Sequence, residues 1–172
     1  MKDKSIDFRP INPHDIASLN SFMNQLSRET PYLNFHGEHI PLTKTEQLIS
    51  ALARDPKSGS FLALKGDIII GMALLLPDRL YKERHKAAIM VAVGKLQRGQ
   101  GIGGALMDEL LAMAKQRGFT MLTLRVYASN TPAINLYHTR GFVEYGRLPE
   151  GILNHHSGAY EDQIYMYKNI PD

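Results

Sequence analysis

Residues 5–9 set Ile6 and Phe8 against Asp7 and Arg9, the two-residue alternation of a strand with one buried face, and Pro10 ends it. The period then lengthens. Between residues 15 and 28, Ile16, Leu19, Phe22, Met23 and Leu26 recur at three- and four-residue spacing, which predicts a helix with one apolar stripe. A second helix is expected from Thr43, where Thr43-x-x-Glu46 has the form of a capping box ahead of Leu48, Ile49 and Leu52. Residues 30–42, between the two helices, hold Pro31, Gly37 and Pro41 and read as a flap facing a substrate.

Residues 60–64 and 68–76 look like a hairpin turned at Lys65-Gly66-Asp67, followed by a polar connection over 77–84. Residues 87–93 are almost continuously apolar, the pattern of a strand buried on both faces. Four glycines follow, at 99, 101, 103 and 104, and Ile102 opens a helix with Leu106, Leu110 and Met113 on one stripe. Gly118, just past Arg117, suits the left-handed position that ends a helix. In the next strand, 121–127, Leu122, Leu124 and Val126 alternate with Thr123 and Arg125. Thr131-Pro132 begins a short helix with proline at its tolerated first position, and Gly141 stops it. Residues 142–145 and 163–167 supply two closing strands. The order β-α-α-β-β-β-α-β-α-β-β predicts an α/β (α+β three-layer) fold, a mixed sheet flanked by helices.

Composition narrows the class. A chain of 172 residues without repeat or linker is expected to form one domain, 1–172, large enough for a core without staples. The longest apolar run, 68–76, is interrupted by Gly71, stopped by Pro77 and far short of the ~18 residues of a membrane span. Residues 1–5 lack the apolar core of a signal peptide, so the expected setting is cytoplasmic, away from any membrane. The absence of cysteine excludes disulfides, thiolate catalysis and Cys-ligated metals. The net charge of +3 is spread without a run of like charge, which argues against a nucleic-acid partner and suits a polyanionic small ligand.

That ligand has an evident place. The glycines sit where an apolar strand turns into an amphipathic helix. A helix start offers unpaired N–H groups and the positive end of the dipole to phosphate oxygens, and glycine lets them approach. Arg98 and Lys95 add charge at the rim, and Arg98 can pair with a phosphate in bidentate fashion. The segment Arg98-Gly99-Gln100-Gly101-Ile102-Gly103-Gly104 therefore reads as a pyrophosphate cradle. Gly99-x-Gly101-x-x-Gly104 also spells the dinucleotide fingerprint, but the next strand ends Val126-Tyr127-Ala128 without the ribose-binding acid, and too little chain follows for a doubly wound sheet. A P-loop fails as well, because no Gly-Lys-Ser/Thr follows the glycines.

Arg98-x-x-Gly101-x-Gly103, after a buried strand ending in Val93, resembles the acetyl-CoA signature of the GNAT superfamily of N-acetyltransferases. The stretch from Leu124 through Asn130, Tyr137 and Gly141-Phe142 is similar to that superfamily's second signature, and the ending Tyr160-Glu161-Asp162-Gln163-Ile164-Tyr165-Met166 to its last strand. The resemblance extends over residues 6–168, the first eighty by element pattern alone. It implies a GNAT-like, mostly antiparallel sheet and a single acetyltransferase domain. It implies transfer from the cosubstrate acetyl-CoA to a primary amine (a small amine, an amino acid or a protein N-terminus) by direct attack in a ternary complex, with no metal. The alternative is a non-catalytic acyl-CoA-binding regulatory domain. Pairing through the last strands is common in such folds, which leaves a homodimer open.

By the same resemblance Val91 and Val93 direct backbone groups to the pantetheine arm, and an N–H near Val91 polarises the thioester carbonyl. Tyr137 is the expected general acid. It shares a helix face with Ile134, and a phenol of ordinary pKa near ~10 can protonate a departing thiolate. Asn130 could cap the following helix or bond the pantetheine; Thr131 competes for the cap, and Asn135 is a further candidate for cofactor contact. The general base is open among Glu83, His85, Asp162 and water, and Glu29 is a candidate for substrate contact. His155-His156, taken as strand residues on opposite faces without a completing carboxylate, do not make a metal site.

Overall fold

A computed structural model describes residues 5–33 and 39–171. The chain runs β1 (Ile6–Arg9), α1 (Ile16–Glu29), α2 (Leu42–Arg54), β2 (Gly59–Lys65), β3 (Ile68–Pro77), β4 (Lys86–Val93), α3 (Ile102–Gln116), β5 (Met121–Tyr127), α4 (Thr131–Thr139), β6 (Val143–Asn154) and β7 (Ala159–Asn169). The seven strands form one sheet in the order β1-β2-β3-β4-β5-β7-β6, antiparallel at every junction except β4–β5. This is the element order and mixed, mostly antiparallel sheet expected from the sequence.

Each face of the sheet carries its own core. On one, α3 and α4 pack Leu106, Leu110 and Tyr137 onto Ile89, Leu122, Leu124 and Ile164. On the other, α1 and α2 pack Leu19, Phe22, Leu26 and Ile49 onto Leu62, Met72 and Leu74. A buried polar clamp ties the chain entering α2 to α1. The backbone of Ile40 donates to Asn24 Oδ1 (2.8 Å) and accepts from the side-chain amides of Asn20 (3.0 Å) and Asn24 (3.1 Å). Two asparagines one helical turn apart thus replace the backbone partners that a loop residue at this depth lacks.

Two local expectations are corrected. The capping box at Thr43 does not form: α2 begins at Leu42 behind Pro41, whose fixed backbone starts the helix without a side-chain cap. The box is one helix earlier, where Asn12 accepts from His14 N (2.9 Å) and Asp15 accepts from Asn12 N (2.8 Å) at a 3-10 turn, Pro13–Asp15, that leads into α1. Asp15 also holds Arg9 in a forked pair, and that hydrogen bonding keeps its carboxyl below the usual range against the opposing effect of burial. Second, the closing strands are far longer than 142–145 and 163–167. β6 is an exposed edge whose register slips past Glu144/Gly146 and Leu148/Ile152. Pro149 and two glycines are absorbed at those bulges, as an edge strand permits.

Candidate active site

Strands β4 and β5 pair only from Lys86↔Met121 to Ala88↔Thr123, and beyond that point they separate. The split follows from what each strand meets next. β4 keeps its antiparallel bonds to β3 as far as Gly71↔Val93, and β5 keeps its own to β7 as far as Tyr127↔Gln163. Gly94 N donates to Ile70 O (2.9 Å), which turns the even-numbered backbone groups of β4 toward β3. Strand alternation then aims the N–H and C=O groups of Ile89, Val91 and Val93 into the gap.

A cavity of about 440 Å³ occupies the gap and is lined from both faces of the sheet. On the α3/α4 side it is lined by Arg98, Gly99, Gly101, Ile102, Gly103, Gly104, Asn130, Leu136 and Tyr137, and along the gap by Val91 and Val93. On the α1/α2 side it meets Leu26, Thr30, Tyr32, Leu33, Met90 and Arg125. Of the expected cofactor residues, the structure brings all to this cavity except Gln100, whose amide bonds Leu96 O (3.0 Å), and Asn135, which is exposed on α4.

The cradle has the geometry that phosphate binding needs. Gly99 and Gly101 have φ of +76° and +80°, a backbone that a side chain strains, and they swing the chain so that α3 begins facing the gap. Its first internal bond is Ala105 N to Gly101 O, so the N–H groups of 102–104 have no helical partner. Arg98 is steadied through Nε on Val93 O (3.1 Å), which leaves the end of its fork for an anion. Glu29, weighed in the sequence as a substrate contact, serves the cradle instead. Its carboxylate accepts from Lys95 N (2.8 Å) at the 3-10 turn Lys95–Gln97.

Tyr137 is buried, 8% exposed, with its ring edge-on to Phe142. Burial pushes its phenol up to about 12. Among the described residues no group hydrogen-bonds that hydroxyl, so it is left to the cavity. Asn130, and not its competitor Thr131, caps α4, its Oδ1 accepting from Ala133 N (3.4 Å).

The candidate bases lie elsewhere. Glu83 pairs with Lys86 (2.9 Å) and His85 accepts Thr120 N (3.0 Å) through its carbonyl, both at the end of β4 away from the split. Asp162 bonds Arg147 (3.4 Å) and Glu150 N (3.2 Å). None lines the cavity. His155 and His156 stand in the β6–β7 turn, not in a strand, which removes the two-face reason given for setting them aside.

The arrangement of a glycine turn, a free helix start, a split sheet and an inward tyrosine agrees with an independent finding: residues 19–142 match the model of the Acetyltransferase (GNAT) family. The chain belongs to the GNAT acetyltransferase family. It is an acyltransferase, and acetyl-CoA is its cosubstrate. N-alpha-acetyltransferase 30 of Schizosaccharomyces pombe is 34% identical over 111 residues, 64% of this chain and 72% of that protein. For three further curated relatives the chain spans just under half of the relative's length (47%, 48% and 48%). Among solved structures, a GNAT-family acetyltransferase from Streptococcus pneumoniae superposes with a TM-score of 0.90 at 27% identity, covering 96% of this chain and all of that one. A phosphinothricin acetyltransferase from Sinorhizobium meliloti in complex with acetyl-CoA shares the fold, with a TM-score of 0.83 at 19% identity over 96% and 88% of the two chains.

The residues that sequence reasoning missed in this acetyltransferase all face α1 and α2. Tyr32 packs on Tyr127 (centroids 5.5 Å apart) and reaches Ser129 O (3.4 Å), which joins the flap to the β5–α4 turn. The flap's residues 34–38, Gly37 included, lie outside the described residues. Behind Ser129, Glu161 accepts from Asn154, while its Oε2 is buried without a hydrogen bond of good geometry. Burial works to raise that carboxyl, but neighbouring Ser129 and Asn154 outweigh it and hold it below the usual glutamate range. Arg125 had shown only as a polar position in a strand alternation. Nothing in its neighbours along the chain marks it as cavity-lining.

Proposed function

We propose that this chain, as one domain over 1–172, transfers the acetyl group of acetyl-CoA to a primary amine by direct attack in a ternary complex. The observation that carries the reading is the Tyr137 hydroxyl, without a hydrogen-bond partner among the described residues, in a cavity lined from both faces of the sheet. A carrier and an acceptor can then meet from opposite sides. Acetyl-CoA supplies the acetyl group on a thioester whose departing thiolate needs a proton. Arg98 and the first-turn N–H groups of α3 hold the pyrophosphate. Val91 and Val93 offer gap-facing backbone groups to the pantetheine arm, and Val91 N–H steadies the carbonyl oxygen. Asn130 lines the same channel. Tyr137 gives the proton from its phenol oxygen to sulfur as the C–N bond forms and the C–S bond breaks. With no carboxylate among the described residues lining the cavity, water is the favoured acceptor of the amine's proton. An exposed edge strand bearing Val143, Tyr145 and Leu148 supports pairing of two copies through β6.

Thiol release from acetyl-CoA, followed with mixed amines, tests the reaction. Amine-dependent release is expected. Tight acetyl-CoA binding without any amine-dependent release would instead favour a regulatory domain.

A further inference from the structure

The cavity's charge is one-sided. Among the described residues its charged lining side chains are Arg98 and Arg125, and no carboxylate lines it. Arg98 belongs to the phosphates. Arg125 does not. It alternates with Leu124 and Val126, whose side chains enter the α3/α4 core, so its own side chain leaves β5 on the α1/α2 face. It stands past the last β4–β5 pair, opposite Tyr165 of β7, at the mouth away from the cradle. Among the described residues it has neither an ion pair nor a side-chain hydrogen bond, although five other arginines (Arg9, Arg98, Arg117, Arg140 and Arg147) have such partners. Leu26, Leu33 and Met90 supply an apolar wall on the same face.

We infer that the acceptor is an apolar α-amino acid, with its carboxylate on the Arg125 guanidinium and its side chain against Leu26, Leu33 and Met90. A planar fork of donors matches a carboxylate and leaves the adjacent amine free to point into the gap. A polyamine would bring a second cation to a cavity whose charged lining side chains, among the described residues, are both arginines. A peptide N-terminus presents a neutral amide where the carboxylate belongs. As a statement about the reaction this rests on the acetyl-transfer reading above; as a statement about binding it stands separately.

The test compares L-leucine with L-leucinamide at equal concentrations of free amine, reading thiol release. The acid should be favoured at least about tenfold in kcat/KM, as a charge-assisted fork implies. Arg125→Gln should raise KM for the acid until it matches the amide, without weakening acetyl-CoA binding, and Arg125→Lys should recover part of the preference. Equal use of acid and amide by the unmodified protein, an equal loss on both in Arg125→Gln, or weakened acetyl-CoA binding would each overturn the inference. A calorimetric arm measures N-acetyl-L-leucine and N-acetyl-L-leucinamide on the CoA-loaded protein. If no amine speeds thiol release, the acetyl-transfer reading fails, and this arm alone decides. Tighter binding of the acid, lost in Arg125→Gln, upholds the carboxylate site; equal binding sinks it.

Discussion

The two mouths of the cavity are built in opposite ways. The cradle is a contiguous run, 98–104, and it works through backbone: two left-handed glycines, three unpaired N–H groups and one steadied arginine. The other mouth draws Leu26, Tyr32, Met90 and Arg125 from α1, the flap, β4 and β5, and works through side chains. A carrier with the same phosphates every time can be held by geometry that tolerates almost no change. An acceptor site assembled from separate side chains can be retuned one residue at a time without disturbing the fold.

The largest effect is expected at Tyr137, the proposed acid. Tyr137→Phe should lower kcat by about 10²–10⁴-fold, the usual worth of a positioned acid, while acetyl-CoA affinity and the circular dichroism spectrum stay as they are. Because burial pushes the phenol up to about 12, it keeps its proton throughout the working range. The rate should then rise with pH as the amine loses its proton and level off, with no alkaline fall below about pH 11. A falling limb near pH ~10 that vanishes in Tyr137→Phe would show that the phenol titrates normally and would remove this argument.

Two glycine variants should separate backbone strain from ligand contact within the cradle. Gly101→Ala forces a side chain into the left-handed region, so it should lose about 1–2 kcal/mol of stability in urea unfolding. A displaced helix start should also weaken acetyl-CoA binding. At Gly103 an added Cβ would meet Leu136 Cδ2 at 3.4 Å and Val93 Cγ2 at 3.7 Å, ordinary contacts. Gly103→Ala should therefore leave stability unchanged or raise it by up to about 1 kcal/mol, as alanine does in a helix. Gly103, Leu136 and Val93 all line the cavity, so the methyl narrows it and the calorimetric affinity for acetyl-CoA should still fall about tenfold, roughly 1.4 kcal/mol.

This asymmetry also decides what could be read before the structure. Strands with one buried face, helix stripes and the strand-glycine-helix turn are short-range patterns, enough for the element order and for the glycine turn that lines the cavity. Tyr137 was reachable because Ile134, three residues earlier, marks its face. Arg125 and Tyr32 were not, since each acquires its setting only when β4 and β5 part and the flap folds across. Nor could the length of β6 be read. An exposed edge needs no apolar alternation, and Pro149 looks like a loop residue when its bulge is invisible. Asn20 and Asn24 on an otherwise apolar helix face were the one long-range clue in plain view, a polar pair one turn apart that had to be bonded to something.

A smaller effect is expected where α1 meets the cradle. The Glu29 carboxylate accepts Lys95 N at 2.8 Å and is itself bonded by Gln25 (2.7 Å). Glu29→Gln keeps an acceptor oxygen and removes the charge. Acetyl-CoA affinity should then fall by about threefold, within the range for a partly exposed charge-assisted bond, with kcat unchanged at saturation. A direct substrate role would instead raise KM for the amine and leave the acetyl-CoA value alone.

The smallest effect is expected from Tyr32→Phe, on the face away from the cradle. Tyr32 reaches Ser129 O at 3.4 Å and accepts from Ser129 Oγ at 3.5 Å, long bonds at an exposed position, whereas its ring lies 5.5 Å from that of Tyr127. The ring contact, worth about 0.5–1.5 kcal/mol, should outweigh the hydroxyl. Tyr32→Phe should change KM for the amine by less than about twofold, while Tyr32→Ala should raise it about three- to tenfold by freeing the flap from β5. Neither should alter acetyl-CoA binding, because Tyr32 stands on the face away from the cradle. If Tyr32→Phe proved as damaging as Tyr32→Ala, the hydroxyl would be touching the acceptor itself, and the mouth would rely on hydrogen bonding as closely as the cradle does.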